Sequence, residues 1–220
     1  MKKKYTDFIC EKIRVVPEGI PIYTRQLAEK IAVAYQLSKR EASAATAVAV
    51  KRIMDKGVMP ELRCYQKGVY YRTAATPFGE IGINKEQLIA DKYLLPDIGY
   101  ETGLTILYKI GLTSQMPRER ILATNVAKGC MRTDRKLDVI IRPPKTIITA
   151  KNKDYLQVLD MLELVEKAPI DEKHPFEVLA DYIQKKELQY IILLALADRY
   201  YNYRTLLCLA HTANKGELSI

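Results

Sequence analysis

Residues Ser38–Arg72 read SKREASAATAVAVKRIMDKGVMPELRCYQKGVYYR, and the reading of this stretch decides the fold. Ser38 followed by Glu41 is a capping box: the hydroxyl accepts from the third helical amide, and the carboxylate reaches back to the amide of Ser38. Ala42, Ala44, Ala45, Ala47 and Ala49 favour helix over strand. Gly57, after Asp55 and Lys56, is placed as the left-handed residue beyond the last turn. Helical periodicity puts Ala42, Thr46, Ala49, Val50, Ile53 and Met54 on one apolar face. The opposite face carries Arg40, Glu41, Ala44, Ala45, Val48, Lys51 and Arg52. Two β-prone runs follow, 58–65 and 69–73, around the turn Gln66-Lys67-Gly68, which predicts a hairpin.

Upstream, Lys3 to Val15 has the apolar stripe of a first helix, broken by Pro17-Glu18-Gly19. Ile20-Pro21-Ile22-Tyr23 is extended, and its proline restricts it to an edge strand. Thr24 is placed as the N-cap of a second helix, Arg25 to Tyr35, which buries Leu27, Ile31, Ala28 and Tyr35. Gln36-Leu37 turns into the Ser38 helix. The order helix, short strand, helix, helix, hairpin is that of a winged helix-turn-helix. The Arg25–Tyr35 helix would then cross the DNA backbone while the next enters the major groove. The plainer alternative is a surface helix and hairpin of any α+β domain.

The chain has 220 residues and a net charge of +9. Residues 1–72 hold 15 Lys and Arg against 7 Asp and Glu, whereas residues 73–220 hold 20 against 19. The basic excess therefore lies with the expected winged helix, as for a DNA-binding module joined to a neutral domain. No apolar run is long enough to span a bilayer, and no apolar segment follows the N-terminal lysines, so neither a membrane anchor nor a signal peptide is expected. Cys10, Cys64, Cys130 and Cys208 are too widely spaced for a zinc motif or a disulfide framework. A reducing, cytoplasmic location is expected.

Residues 74–84, with Pro77, Gly79 and Gly82, read as a linker between a domain at 1–73 and another at 85–220. In the second, helices are predicted at 85–93 and from Glu101 or Thr102 to Gly111, with a turn at Pro96–Gly99 between them. Strands are predicted at 121–124, 137–142 and 146–149. Asn152 is placed as the cap of a helix from Lys153 to Lys167. Helices at 175–186, 188–199 and 204–213 complete the chain. The whole is an α+β protein: an N-terminal winged helix-turn-helix, then an α/β domain with a helical C-terminal end.

Several of these segments carry a family resemblance. Lys51-Arg52-Ile53-Met54-Asp55-Lys56-Gly57-Val58 and Lys67-Gly68-Val69-Tyr70-Tyr71 lie in the first domain. Thr76-Pro77-Phe78-Gly79, Gly99-Tyr100-Glu101-Thr102-Gly103, Ile110–Pro117 and Ala123-Thr124-Asn125 follow, then Asn152 and Tyr155–Asp160. Together they resemble the AbiEi-type antitoxins of type IV abortive-infection toxin–antitoxin pairs, over residues 25–165 and loosely beyond. The resemblance implies an autorepressor that binds double-stranded operator DNA through its first domain. It implies a second domain needed for antitoxicity. The functional partner would be a nucleotidyltransferase-like toxin, counteracted without a stable complex.

The candidate DNA contacts are Arg25, Lys39, Arg40, Ser43, Lys51, Arg52, Arg63, Gln66 and Lys67. Lys39, Arg40 and Ser43 sit where base edges are usually read, and Arg40 suits a bidentate contact to guanine. Lys51 and Arg52 suit phosphates, and equally the helix dipole. Arg63, Gln66 and Lys67 belong to the wing, and Arg25 is a further phosphate candidate. Thr113, Ser114 and Gln115, in a turn, are candidates for partner binding and antitoxicity, or for satisfying a tight loop. No phosphate-binding glycine loop and no metal-ligand motif appears, so no cofactor, no metal and no enzymatic activity is expected. Two other functions fit the composition: a repressor with a sensing C-terminal domain, or a DNA-targeted nuclease using Asp134, Asp138 and Lys136.

Overall fold

A computed structural model of the chain describes residues 4–216. It is mixed α+β, with a helical N-terminal region and a helical C-terminal end, and it divides into two compact units between Leu88 and Ile89.

The first unit opens with α1 (Tyr5–Arg14). Lys3, expected to begin this helix, lies outside the described residues. Next come β1 (Ile22–Tyr23), α2 (Thr24–Tyr35) and α3 (Lys39–Asp55). The strands β2 (Leu62–Gln66) and β3 (Val69–Arg72) form the hairpin. Antiparallel pairing gives the order β1-β3-β2, with Ile22 opposite Tyr70 and Leu62 opposite Arg72, so β1 is the edge its proline calls for. Ile9, Ile13, Leu27, Ile31, Val50 and Ile53 are buried among the three helices, and Met59 and Leu62 close the core from the hairpin side.

Local chemistry explains where α3 starts and stops. Ser38 Oγ accepts from the Glu41 amide at 3.3 Å, and Glu41 Oε2 accepts from the Ser38 amide at 3.0 Å. At the other end Gly57 sits at φ +59°; its amide reaches the Met54 carbonyl and the Val58 amide reaches that of Ile53, both at 3.1 Å. That is a Schellman closure, and it uses 58–61 as a turn, so β2 begins at Leu62 rather than Val58. Thr24 differs from expectation too. Tyr23 occupies the cap position, and the Thr24 amide and hydroxyl both donate to the Gly68 carbonyl, at 3.0 and 3.3 Å, tying α2 to the hairpin turn.

The stretch expected to be a linker is folded onto the first unit. Residues 74–84 contain the hairpin β4 (Ala75–Thr76) and β5 (Gly79–Glu80). The Thr73 hydroxyl donates to the Ile81 carbonyl at 2.8 Å, and the Asn84 amide donates to the Gly19 carbonyl at 2.7 Å. Pro77 and Gly79 serve a tight β4–β5 turn here rather than a tether. The helix α4 (Lys85–Ile89) spans the division between the units.

The second unit begins with a π-helical turn, Ala90–Leu94. A strand, β6 (Gly99–Thr102), precedes α5 (Leu104–Lys109) where helix was expected from Glu101. Gly99 explains the difference: a Cβ there would lie 2.0 Å from the Tyr93 carbonyl and 2.8 Å from that of Ala123, so glycine alone lets β6 approach its neighbours. The strands β7 (Arg120–Thr124), β8 (Arg132–Asp134) and β9 (Val139–Arg142) complete a sheet of order β6-β7-β9-β8, parallel only between β7 and β9. Residues 146–149, expected as a strand, are a loop. The Asn125 side chain takes the place of a neighbouring strand there, accepting from the Ile148 amide at 2.9 Å and donating to its carbonyl at 2.8 Å.

Four longer helices follow: α6 (Lys153–Val165), α7 (Pro175–Lys185), α8 (Tyr190–Tyr200) and α9 (Tyr203–Gly216). Asn152 occupies the N-cap position of α6 as expected, but its side chain makes no cap hydrogen bond and holds the Thr149 amide and the Ile147 carbonyl instead. Leu107, Leu159, Leu162, Leu179, Ile183 and Leu193 centre the helical core. Asp160 of α6 is 1 % exposed and anchors α6 to the sheet. It meets the Arg142 guanidinium of β9, the Thr102 hydroxyl of β6 at 3.0 Å and the Tyr201 hydroxyl at 2.8 Å.

Candidate nucleic-acid interface

Amphipathic spacing turns α3 so that Ala42, Thr46, Ala49, Val50 and Ile53 are buried. Arg40, Ser43, Ala44, Ala47, Val48, Lys51 and Arg52 are therefore exposed, together with Lys39 at the first turn. The arc is polar at its ends and apolar in the middle, where Val48 is 48 % exposed. Lys39 to Arg52 spans about 20 Å of helix axis at ~1.5 Å per residue. Lys39, Arg40, Lys51 and Arg52 have no ion-pair partner among the described residues. Lys56, just past the last turn, is likewise exposed and was not a sequence candidate.

The remaining candidates separate into free and occupied groups. Lys67 is exposed in the hairpin turn, and Gln66 is half-buried at the end of β2. Arg63 is engaged by its own unit: its guanidinium donates to the Pro60 carbonyl and lies 3.6 Å from Glu80. Arg25 is 90 % exposed but pairs with Glu29 one turn on, at 3.2 Å. An i,i+4 pair this exposed is weak, so Arg25 can exchange Glu29 for another anion.

Arg72 is a cation whose role the sequence did not signal. It donates to the carbonyls of Arg14 and Val16, both at 2.9 Å, and pairs with Glu18 at 2.9 Å. It staples the end of α1 to the hairpin and is spent on the fold. Beside α3, an open apolar cleft of about 620 Å³ lies between Tyr5, Thr6 and Tyr35 on one side and Ala44, Ala45 and Val48 on the other. Tyr5 and Tyr35 meet edge to face there at 4.8 Å.

In the second unit, Thr113, Ser114 and Gln115 are brought together around a carboxylate of their own chain. Asp171 Oδ2 accepts from the Ser114 amide at 2.7 Å and from its hydroxyl at 2.6 Å, with the Thr113 hydroxyl at 3.5 Å. The Gln115 amide donates to the Thr113 hydroxyl at 3.2 Å. The Ser114 donors hold the Asp171 carboxyl below the usual carboxylate range. Nothing in the sequence near position 114 points to a partner at position 171.

Asp134 and Asp138 are not arranged alike. Both oxygens of Asp134 are engaged within the unit, whereas Asp138 is exposed in the β8–β9 turn at φ +55°. Among the described residues no three His, Cys, Asp or Glu side chains converge as a metal site. His174 precedes α7 beside Glu177 at 3.6 Å, and His211 packs against Phe176 at 5.6 Å. No helix of the described residues is long and apolar enough to cross a membrane.

Comparison with protein-family models and with curated proteins found no match to the chain.

Proposed function

We propose that the first unit is a winged helix-turn-helix that binds double-stranded operator DNA. In this reading α3 is the recognition helix, α2 crosses the backbone and β2–β3 is the wing. The observation that carries the reading is the exposed arc of α3, whose cations are left without acidic partners among the described residues, along a helix whose other face is buried. Charge that a fold does not neutralise internally is available to a polyanion. The concentration of the net positive charge in residues 1–72 supports the same reading.

The second unit is proposed as the antitoxic part of an AbiEi-type protein, acting in the cytoplasm against a nucleotidyltransferase-like toxin and performing no catalysis itself. Support comes from the shared segments, chiefly Gly111–Pro117 and Ala123-Thr124-Asn125. Both hold loops in place in this fold: Ser114 through Asp171 and Asn125 through Ile148.

The experiment is a titration of the chain against labelled DNA from its own promoter across a salt series. With about six phosphates neutralised, affinity should fall on the order of 10³-fold between 50 and 200 mM salt. No binding removes the DNA-binding reading, and binding without salt dependence removes the phosphate contacts assigned to its cations. Co-expression with the toxin gene expected beside it tests the antitoxin reading: rescue of growth supports it, and no rescue leaves a DNA-binding repressor.

A further inference from the structure

A cleft of about 440 Å³ opens in the second unit, with Lys92 and Tyr93 on one wall and residues Arg132 to Lys136 on the other. Asp134 is the only carboxylate in its lining, and that carboxylate is fully used. Its Oδ2 accepts from Lys92 Nζ and from the Tyr93 hydroxyl, both at 2.7 Å. Its Oδ1 accepts from the amides of Lys136 and Leu137, at 3.1 and 3.3 Å. Four donors on one carboxylate fix the β8–β9 turn and leave that carboxylate nothing to offer the neighbouring arginines.

Arg132, at the start of β8, and Arg135, in the turn that follows, are exposed, and their side chains have no hydrogen-bond or ion-pair partner among the described residues. Asp138, in the same turn, does not line the cleft. The cleft thus presents two unpaired guanidinium groups on one wall beside the Lys136 ammonium, while the Lys92 ammonium on the other wall is held by Asp134. Guanidinium forks match the paired oxygens of a phosphate, and clustered cations of one sign favour a multiply charged anion over a monovalent one.

We propose that this cleft binds a phosphate group, with Arg132 and Arg135 as the forked donors and Asp134, between them, as the strut that holds the end of β8 and its turn. The phosphate belongs to a free nucleotide or to a nucleic-acid backbone. The proposal does not rest on the DNA-binding role of α3.

The test uses the full chain carrying Lys51→Ala and Arg52→Ala, so that loss of operator binding and loss of this site are distinguishable. The Arg132→Ala/Arg135→Ala change is then added in that background. The two proteins are titrated with a fluorescent GTP analogue and with a labelled duplex of unrelated sequence over a salt series. Loss of nucleotide affinity by about 10-fold or more supports the site with a free nucleotide as its ligand. A salt slope for duplex binding reduced by about 2 supports it with a nucleic-acid backbone as the ligand. Equal titrations of the two proteins with both probes overturn it, as does binding to neither probe before the arginines are changed. If the alanine variant melts lower, Arg132→Gln/Arg135→Gln keeps the side-chain length and replaces it in the same titrations.

Discussion

Asp171 holds Ser114 by both of its donors, the amide at 2.7 Å and the hydroxyl at 2.6 Å, on a single carboxylate oxygen. The Leu112 carbonyl returns the contact, accepting from the amides of Asp171 and Glu172. The loop after α5 and the loop before α7 are thus zipped together. Asp171→Ala should free the Ser114 amide, so its hydrogen exchange speeds up while amides in β7 and α6 keep their protection. If the 113–115 loop carries antitoxicity, rescue in co-expression falls with it. Faster exchange with full rescue shows that the loop serves the fold alone.

Asp134 makes a prediction about acid. Burial alone would raise its carboxyl, but bonds from Lys92, Tyr93 and the turn amides outweigh that and hold it at about 2. A carboxylate with a depressed folded-state value stabilises above its unfolded value and loses that contribution as pH falls through the folded one. The window is therefore from about 4 down to about 2. Asp134→Asn should cost on the order of 2 kcal/mol at neutral pH. The gap between variant and wild type should narrow in chemical denaturation repeated toward pH 3. A gap independent of pH would mean that the loss is not one of ionised hydrogen bonding.

The Asp160 network separates two tyrosines that look alike in the sequence. The Tyr201 hydroxyl donates to Asp160 at 2.8 Å, whereas the Tyr100 hydroxyl, also buried, lies beside the same carboxylate and Tyr201 without a hydrogen bond of normal geometry among the described residues. Tyr201→Phe should cost about 1.5–3 kcal/mol, the range for a hydrogen bond to a charged group, while Tyr100→Phe should be close to neutral. Asp160→Ala leaves Arg142 without its counter-charge and should cost about 3–5 kcal/mol. Chemical denaturation of the three variants ranks them, and equal losses for the two tyrosine variants would contradict the geometry.

What the sequence made legible was local. The Ser38–Glu41 cap, the left-handed Gly57 and the inward face of α3 depend on residues within a turn or two of one another, and all three are present. What it hid was set by distant partners. The strand β8, Arg132–Asp134, has no apolar alternation and exists because β9 pairs with it. Ile148 lies in a β-prone run but has a side-chain partner in Asn125 instead of a strand. The same division runs through the candidate interface. Exposure of Arg40 and Lys51 followed from helical periodicity, whereas the engagement of Arg63 by Glu80 and Pro60 required knowing where β5 lies.

The hairpin at 75–80 changes where the first unit should be cut. A fragment ending at Thr73 loses the Thr73–Ile81 and Asn84–Gly19 hydrogen bonds, while one ending at Leu88 keeps both. The longer fragment should unfold in one cooperative transition, and the shorter should melt lower by several degrees, about 4–8 °C for each kcal/mol lost. Equal melting temperatures would mean that residues 74–84 add nothing to the first unit.

The strongest discrimination lies along α3 itself. Arg40 sits in the first turns, where a recognition helix meets base edges, and Lys51 and Arg52 sit near its last turn. Arg40→Ala should therefore cost about 1–3 kcal/mol on operator DNA, with a smaller loss on unrelated duplex, because a bidentate base contact discriminates between sequences. Lys51→Ala and Arg52→Ala should weaken both DNAs alike and lower the salt slope by about 1 each, because phosphates are the same in every sequence. Melting temperatures should barely move in any of the three, since these side chains have no hydrogen-bond or ion-pair partner among the described residues to lose. Loss of specificity from Lys51→Ala but not from Arg40→Ala would reverse the orientation of α3 on DNA. Three variants indistinguishable from wild type would remove α3 from the interface.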